Sequence, residues 1–159
     1  MAENNLDRLK SDIKLNNPAR LYVFHGEEAY LRRYYLDSLK KLLVEDFAEA
    51  FNFHRFRPET ITPQAVLDSI EALPMMAQRS MLQIDDVNFF ALGEDAAAYA
   101  KFFSDIPDYC TVVLNYDTVE FRPNLSLSFF RFNVLIILHQ KKIVKQICDL
   151  NLIYFIFLK

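Results

Sequence analysis

Glycine is scarce in this chain: Gly26 and Gly93 are the two that occur among 159 residues. Loops that hold a phosphate group use glycine where the backbone has to come close to the ligand. The shortage of glycine therefore argues against glycine-rich loop chemistry before any motif is examined.

A strong charge of either sign is also lacking, since the formal net charge is −3. No global positive field draws such a chain to DNA or to a membrane surface, so a role on DNA would act through protein partners. The two cysteines, Cys110 and Cys148, show no metal-binding or disulfide spacing, which fits a reducing compartment. The polar segment "MAENNLDRLKSD" is not a signal peptide. We therefore expect a cytoplasmic protein without a bound metal.

The hydrophobic pattern alternates between helical and strand periods. Hydrophobic residues make up 52% of the chain and charged residues 25%, a globular composition for a single domain. Strands are predicted at 21–25, 51–56, 80–87 and 110–117, and helices at 6–13, 28–43, 93–106 and from Thr62-Pro63 to the stop at Pro74. Strands joined by helices predict an α/β fold, with a parallel sheet flanked by helices on its faces.

The residue usage changes after about residue 124. The segment 125–159 contains no Gly, Ala, Glu, Thr or Pro, and no turn residues interrupt it. Three interpretations remain open: a non-native continuation such as a frameshift, two further buried elements, or a membrane anchor. A spanning helix needs about 20 apolar residues, which the charges at Arg131 and Lys141-Lys142 interrupt. We predict a domain at 1–124 and an atypical hydrophobic tail at 125–159.

The junction "YVFHGEEAYLRR" has the strand–Gly–helix layout of a phosphate-binding loop. A working loop reads G-x-x-x-x-G-K-[ST]. Counted from Gly26, the second Gly position holds Leu31, the Lys position holds Arg32 and the hydroxyl position holds Arg33. The helical period also places both arginines mostly outside the apolar face of their helix. The junction is therefore predicted to be a degenerate phosphate loop that does not bind nucleotide.

Acidic residues accompany both features that a nucleotide site would need. Glu27 and Glu28 favour the positive end of the helix dipole and compete with a phosphate for the same amides. We expect these carboxylates to cap the helix. Asp85-Asp86 ends a strand like the magnesium-holding strand of an ATPase, but without the loop lysine we expect a solvated strand end.

The ordered motifs resemble a known family. The segments Y-x-x-x-G-E-E-x-x-L, "FNFHRF", "ALPMMAQRSMLQIDDV" and "TVVLNYD" are similar to the N-terminal domain of the delta subunit of bacterial DNA polymerase III, over roughly 6–123. The resemblance implies an AAA+-like domain with a lost ATP site and no cofactor. It also implies a role in DNA replication: the domain binds the sliding clamp, the beta subunit, and helps to open it for loading on primed DNA.

The same resemblance implies partners and a division of labour. The family belongs to a DNA-directed DNA polymerase holoenzyme, a nucleotidyltransferase, but this domain would be non-catalytic because other loader subunits hydrolyse ATP. It would meet DNA only indirectly and no membrane at all. Nothing after 124 matches the second and collar domains of the family, so we expect clamp binding without assembly of a full loader.

The resemblance assigns the clamp contact to Leu73, Met75, Met76 and Arg79. Physical reasoning agrees, because Pro74 ends a helix and two adjacent side chains on a tight turn cannot both face one core. An exposed pair of large apolar residues marks a contact site, and methionine fills irregular grooves well. Arg79 could pair with acids on the partner. The alternative is that both methionines close the core of their own domain.

Two other classes of function remain as alternatives. The first is a small nucleotide-binding enzyme with a non-standard phosphate loop, in which His25 beside Gly26 would be the candidate catalytic group. No supporting nucleophile is identifiable near it, so we expect an ordinary polar neighbour at a strand end. The second is direct DNA binding, but the Lys and Arg pairs at 32–33, 40–41 and 141–142 are scattered and do not form a stripe.

Overall fold

A five-stranded parallel sheet forms the centre of the molecule. The computed structural model describes residues 5–26, 28–89, 92 and 95–117, together with the backbone of 134–138. The strands are β1 (Leu21–His25), β2 (Phe53–Phe56), β3 (Ser80–Asp85), β4 (Cys110–Asn115) and β5 (Val134–Leu138). Their order across the sheet is β2-β3-β4-β1-β5, and every neighbouring pair is parallel. The predicted α/β class with a parallel sheet is therefore confirmed.

Helices connect the first four strands, as crossovers between parallel strands require, and one further helix precedes β1. They are α1 (Asn5–Leu15), α2 (Ala29–Leu43), α3 (Glu49–Asn52), α4 (Pro63–Glu71) and α5 (Asp95–Ser104), with a 3₁₀ turn at Asp46–Ala48 before α3. One strand boundary differs from the sequence pattern: Phe51 and Asn52 end α3, and β2 begins at Phe53. The phenylalanine alternation at 51–56 was interpreted as strand throughout, but its first two residues complete a helical turn.

The α4 helix begins where the sequence predicted. Thr62 is extended, and its hydroxyl oxygen accepts a hydrogen bond from the Ala65 N–H at 3.2 Å. Pro63 occupies the first helical position, where its missing N–H costs nothing. These two residues fix the start of the helix that leads to the predicted clamp contact.

Two apolar layers cover the sheet, one on each face. Alternate residues of β1 point to opposite faces, so Leu21 and Val23 enter one layer while Tyr22 and Phe24 enter the other. The first layer includes the aromatic residues of α5, and the second includes the apolar side of α1 and α2. With a core on both faces, the sheet is a rigid base for the loops at its two ends.

The fifth strand comes from the segment after residue 124. Strand β5 pairs with β1 in register from Leu21↔Val134 to His25↔Leu138. The rest of 118–159 lies outside the described residues, so the domain boundary at 124 and the origin of the tail stay predictions. Among the described helices, none combines the length and the apolarity needed to cross a membrane.

Candidate functional site

The segment that follows α4 presents three large apolar side chains to solvent, and we call residues 73–76 the tip. The helix ends at Glu71, and the Ala72 N–H donates to the Asp68 carbonyl at 3.0 Å. Leu73 is 77% exposed, Met75 49% and Met76 80%. The alternative in which both methionines close the core of their own domain is therefore wrong. The assignment of the tip as a clamp contact stays a prediction.

A buried asparagine holds the backbone of the tip. The Asn52 side chain has no exposed surface. Its amide nitrogen donates to the Met75 carbonyl at 2.8 Å, and its amide oxygen accepts from the Met75 N–H at 2.7 Å. Two bonds to a single residue fix both the position and the direction of the chain there. No local sequence pattern indicates this contact, because 23 residues separate the two partners.

Met76 has a backbone conformation that is uncommon for its type. Its φ is 54°, in the left-handed region that favours glycine. A non-glycine residue there costs about 1–2 kcal/mol and persists where its surroundings determine the conformation. The strained residue and its Asn52-bound neighbour follow one another, so the methionine pair is displayed in a defined arrangement.

An open groove runs from the tip to the ends of two helices. Met76, Ala77, Gln78 and Arg79 line one side, and the other side is lined by Asn16, Leu42, Leu43 and Glu45. Asn16 and Glu45 lie just before the segments that enter β1 and β2, so the groove lies at the amino ends of the strands. Arg79 is half-buried and forms no ion pair with the described part of the chain. The tip thus combines apolar side chains with a neighbouring cation.

The opposite end of the sheet carries the Gly26 junction, which is filled by the protein itself. Gly26 has φ 125°, a conformation that suits glycine. Arg32 is buried; its guanidinium donates to the Gly26 carbonyl at 2.5 Å and forms an ion pair with the Asp117 carboxylate. The sequence pattern placed Arg32 on the outer face of α2, which is wrong, although Arg33 is exposed as expected. The side chain at the loop-lysine position therefore cross-links the residue after β1 to the second residue after β4.

The acids near this junction have different roles from those expected. Glu28 is the residue at the N-cap of α2, but its carboxylate makes no capping hydrogen bond, so the expected capping is wrong for this residue. Glu27 lies outside the described residues. The partial positive charge at the start of α2 still favours nearby acids without direct bonding.

Asp85 is a buried hydrogen-bond acceptor at the end of β3. It accepts from the side-chain amides of Gln83 and Asn115, each at 2.8 Å, and from the Arg55 guanidinium at 2.5 Å. The expectation of a solvated strand end is wrong for this residue, because three donors replace the lost water. Asp86 is half-buried and accepts from the Asp117 N–H at 2.7 Å. Both carboxylates are thus committed to structural contacts.

His25, at the end of β1, is held in its neutral form at pH 7. Burial, and to a smaller extent the nearby Arg32 charge, together lower its pKa to about 4. It lines a small cavity with Phe24, Glu28 and Arg32. Within the ranges that the structure describes, no group of three His, Cys, Asp or Glu residues could hold a metal ion.

Sequence comparison and structure comparison give different results for this chain. No protein-family profile and no curated protein sequence matches it. Among solved structures, the Bacillus subtilis DNA clamp loader delta protein (YqeN) superposes with a TM-score of 0.67 and 17% identity, over 91% of this chain and 45% of that one. A DNA polymerase III gamma subunit-related protein from Thermotoga maritima gives a TM-score of 0.59 and 14% identity, over 90% of this chain and 50% of that one.

These likenesses concern the fold. The predicted α/β fold with a parallel sheet is confirmed, because these two solved structures share it over about nine tenths of this chain. The chain spans about half the length of the solved structures it matches.

Proposed function

We propose that this chain is a delta-like clamp-loader domain of DNA replication, which binds a sliding clamp and helps to open it for loading on primed DNA. Its tip, with Leu73, Met75 and Met76, would enter an apolar groove on the clamp, and Arg79 would pair with acids at the rim of that groove. The likeness to clamp-loader structures supports the proposal. The exposed apolar side chains of the tip supply the surface that would bind the clamp.

The observation that carries the proposal is the exposure of three apolar side chains on a fixed backbone. Such a group is unusual on a free surface and is typical of a contact site. Burying each side chain in a partner contributes about 1.5–3 kcal/mol. Because Asn52 already holds Met75, little conformational entropy of the backbone would be lost on binding.

The Gly26 junction is closed by Arg32, and this supports the proposal that the domain catalyses no reaction of its own. A phosphate at the Gly26 loop would meet Leu31 in place of the second glycine, and Arg32 is already bonded to Gly26 and Asp117. The alternative, a nucleotide-binding enzyme, requires Arg32 to leave these partners. Titration with ATP and magnesium separates the two proposals: micromolar affinity would favour the enzyme.

Partners beyond the clamp follow from the same proposal. We propose a cytoplasmic location and contact with DNA only through the clamp, and other clamp-loader subunits are the further partners to test. Mixing it with purified loader subunits and measuring complex size tests the last point.

A binding measurement tests the proposed contact. Calorimetry with a purified sliding clamp would compare the wild-type chain with Met75→Ala/Met76→Ala, and we expect the variant to bind about a hundredfold more weakly, or about 2.7 kcal/mol. Tyr30→Ala/Tyr34→Ala is the matched control, since these exposed side chains lie on α2. Equal binding by wild type and the methionine variant would remove the tip from the contact.

A further inference from the structure

A second exposed apolar pair lies beside the tip. Phe47 is 67% exposed and Phe51 is 58% exposed, in the short helical segment that links α2 to β2. They are four residues apart, with Phe47 in the 3₁₀ turn and Phe51 in α3. The next residues, Ala48 and Asn52, are buried on the inner side of the same segment. The two phenyl rings thus face solvent while the segment itself is anchored.

Two connections join this pair to the tip. Phe51 directly precedes Asn52, whose side chain holds the Met75 backbone with two hydrogen bonds. Glu45, two residues before Phe47, lines the same open groove as Met76. The phenylalanine pair and the tip therefore border one continuous surface at the amino end of the sheet.

The charge around the phenylalanine pair is negative. Glu45 and Asp46 precede Phe47, both are exposed, and neither forms an ion pair with the described residues. Glu49 lies between the two rings in sequence, and its carboxylate is 2.6 Å from the Lys40 ammonium. Near the tip the neighbouring charge is that of Arg79 instead. The surface is therefore acidic beside the phenylalanines, and Arg79 adds a cation on the side of the groove that carries Met76.

We propose that Phe47 and Phe51 form a second anchor for the partner that receives the tip, which is the sliding clamp. The inference rests on the proposed function and adds to it a two-point contact. The occupant is a clamp surface with an apolar recess edged by lysine or arginine, because the exposed carboxylates of Glu45 and Asp46 would otherwise be desolvated without a countercharge. Two anchors on one rigid surface also fix the orientation of the ring, which a single apolar tip does not.

Calorimetry with a purified sliding clamp tests this second anchor. Phe47→Ser/Phe51→Ser should bind at least tenfold more weakly than wild type. Tyr30→Ser/Tyr34→Ser is the matched control, because it removes another exposed aromatic pair with the same spacing of four residues, and it should bind within twofold of wild type. Thermal unfolding of both variants checks that they fold, as substitution of exposed rings should allow.

A charge reversal beside the phenylalanine pair tests the proposed basic rim on the clamp. Asp46→Lys should weaken clamp binding several-fold, whereas Glu59→Lys, at an exposed acid in the turn before α4, should leave it unchanged. Tighter binding by Asp46→Lys would overturn the assignment of a basic rim on the clamp.

The outcomes separate this inference from the proposed function. If Met75→Ala/Met76→Ala loses binding while Phe47→Ser/Phe51→Ser does not, the second anchor is overturned and the tip stands. If the wild-type chain does not bind a clamp at all, the proposed function fails and the second anchor with it. Sedimentation of the chain without clamp tests whether a second copy of the chain occupies this surface. A wild-type dimer that dissociates in Phe47→Ser/Phe51→Ser would overturn the proposal.

Discussion

At the scale of single residues, Asn52 determines how the tip is presented. Replacing it with alanine leaves the Met75 N–H and carbonyl without their protein partners. We expect Asn52→Ala to lower the free energy of unfolding by about 2 kcal/mol and also to weaken clamp binding. Urea unfolding and hydrogen exchange at the Met75 amide measure the first effect, and calorimetry with a purified clamp measures the second. A loss of less than about 0.5 kcal/mol in Asn52→Ala would contradict the two-bond arrangement.

His25 provides a second test at the residue scale, through pH. Its pKa is about 4 in the folded chain, while an exposed histidine has a pKa near 6.5. The unfolded chain therefore binds more protons between these two values. His25 contributes stability above pH 6.5, and up to about 3 kcal/mol is lost as the pH falls toward 4.

NMR titration of the His25 ring checks this directly. We expect a midpoint near 4 in the wild type and a higher midpoint in Arg32→Met, because the Arg32 charge is the second cause of the shift. A wild-type midpoint near 6.5 would show that the ring is solvated.

At the scale of elements, Arg32 joins the α2 helix to both ends of the filled junction. Breaking a buried ion pair leaves its partners unsatisfied, and Arg32→Ala should cost about 2 kcal/mol since Asp117 is itself partly exposed. The adjacent exposed Arg33→Ala is the matched control and should change the free energy of unfolding by less than about 0.5 kcal/mol. Chemical denaturation measures the free energy of unfolding of both variants. Equal losses in Arg32→Ala and Arg33→Ala would mean that Arg32 does not hold the junction.

The start of α4 gives a second prediction for an element. Thr62→Ala removes the hydroxyl that accepts from the Ala65 N–H, and should lower the free energy of unfolding by about 1 kcal/mol. Thr62→Ser keeps that oxygen and should retain most of the stability. If the serine variant is as unstable as the alanine variant, the hydroxyl bond is not what fixes the helix start.

Sequence reasoning succeeded for elements wherever the controlling interaction is local. Thr62 and Pro63 specify a helix start within four residues, and the run Leu21–His25 specifies a buried strand by its composition. It failed for side chains whose partners are distant in sequence. Arg32 was assigned to solvent because Asp117 lies 85 residues away, and Asp85 because Arg55 and Asn115 each lie 30 residues away.

At the scale of the whole molecule, the two ends of the sheet have opposite characters. The carboxyl end holds a junction closed by Arg32, Asp117 and Asp86, while the amino end exposes the tip and the phenylalanine pair. The sequence pattern predicted the α/β fold with a parallel sheet, and the family resemblance indicated the exposed apolar residues of the tip. It could not show that Asn52 joins the tip to Phe51, because that contact exists only once α3 and the tip meet in three dimensions.

The methionine methyl groups are direct probes of contact between the tip and a sliding clamp. Met75 and Met76 are exposed at the tip, whereas Met81, five residues further on in β3, is fully buried and serves as an internal control. On addition of a purified sliding clamp to methyl-labelled protein, NMR signals of Met75 and Met76 should shift or broaden while that of Met81 stays in place. Clamp binding that leaves the Met75 and Met76 signals unchanged would show that the tip does not contact the clamp.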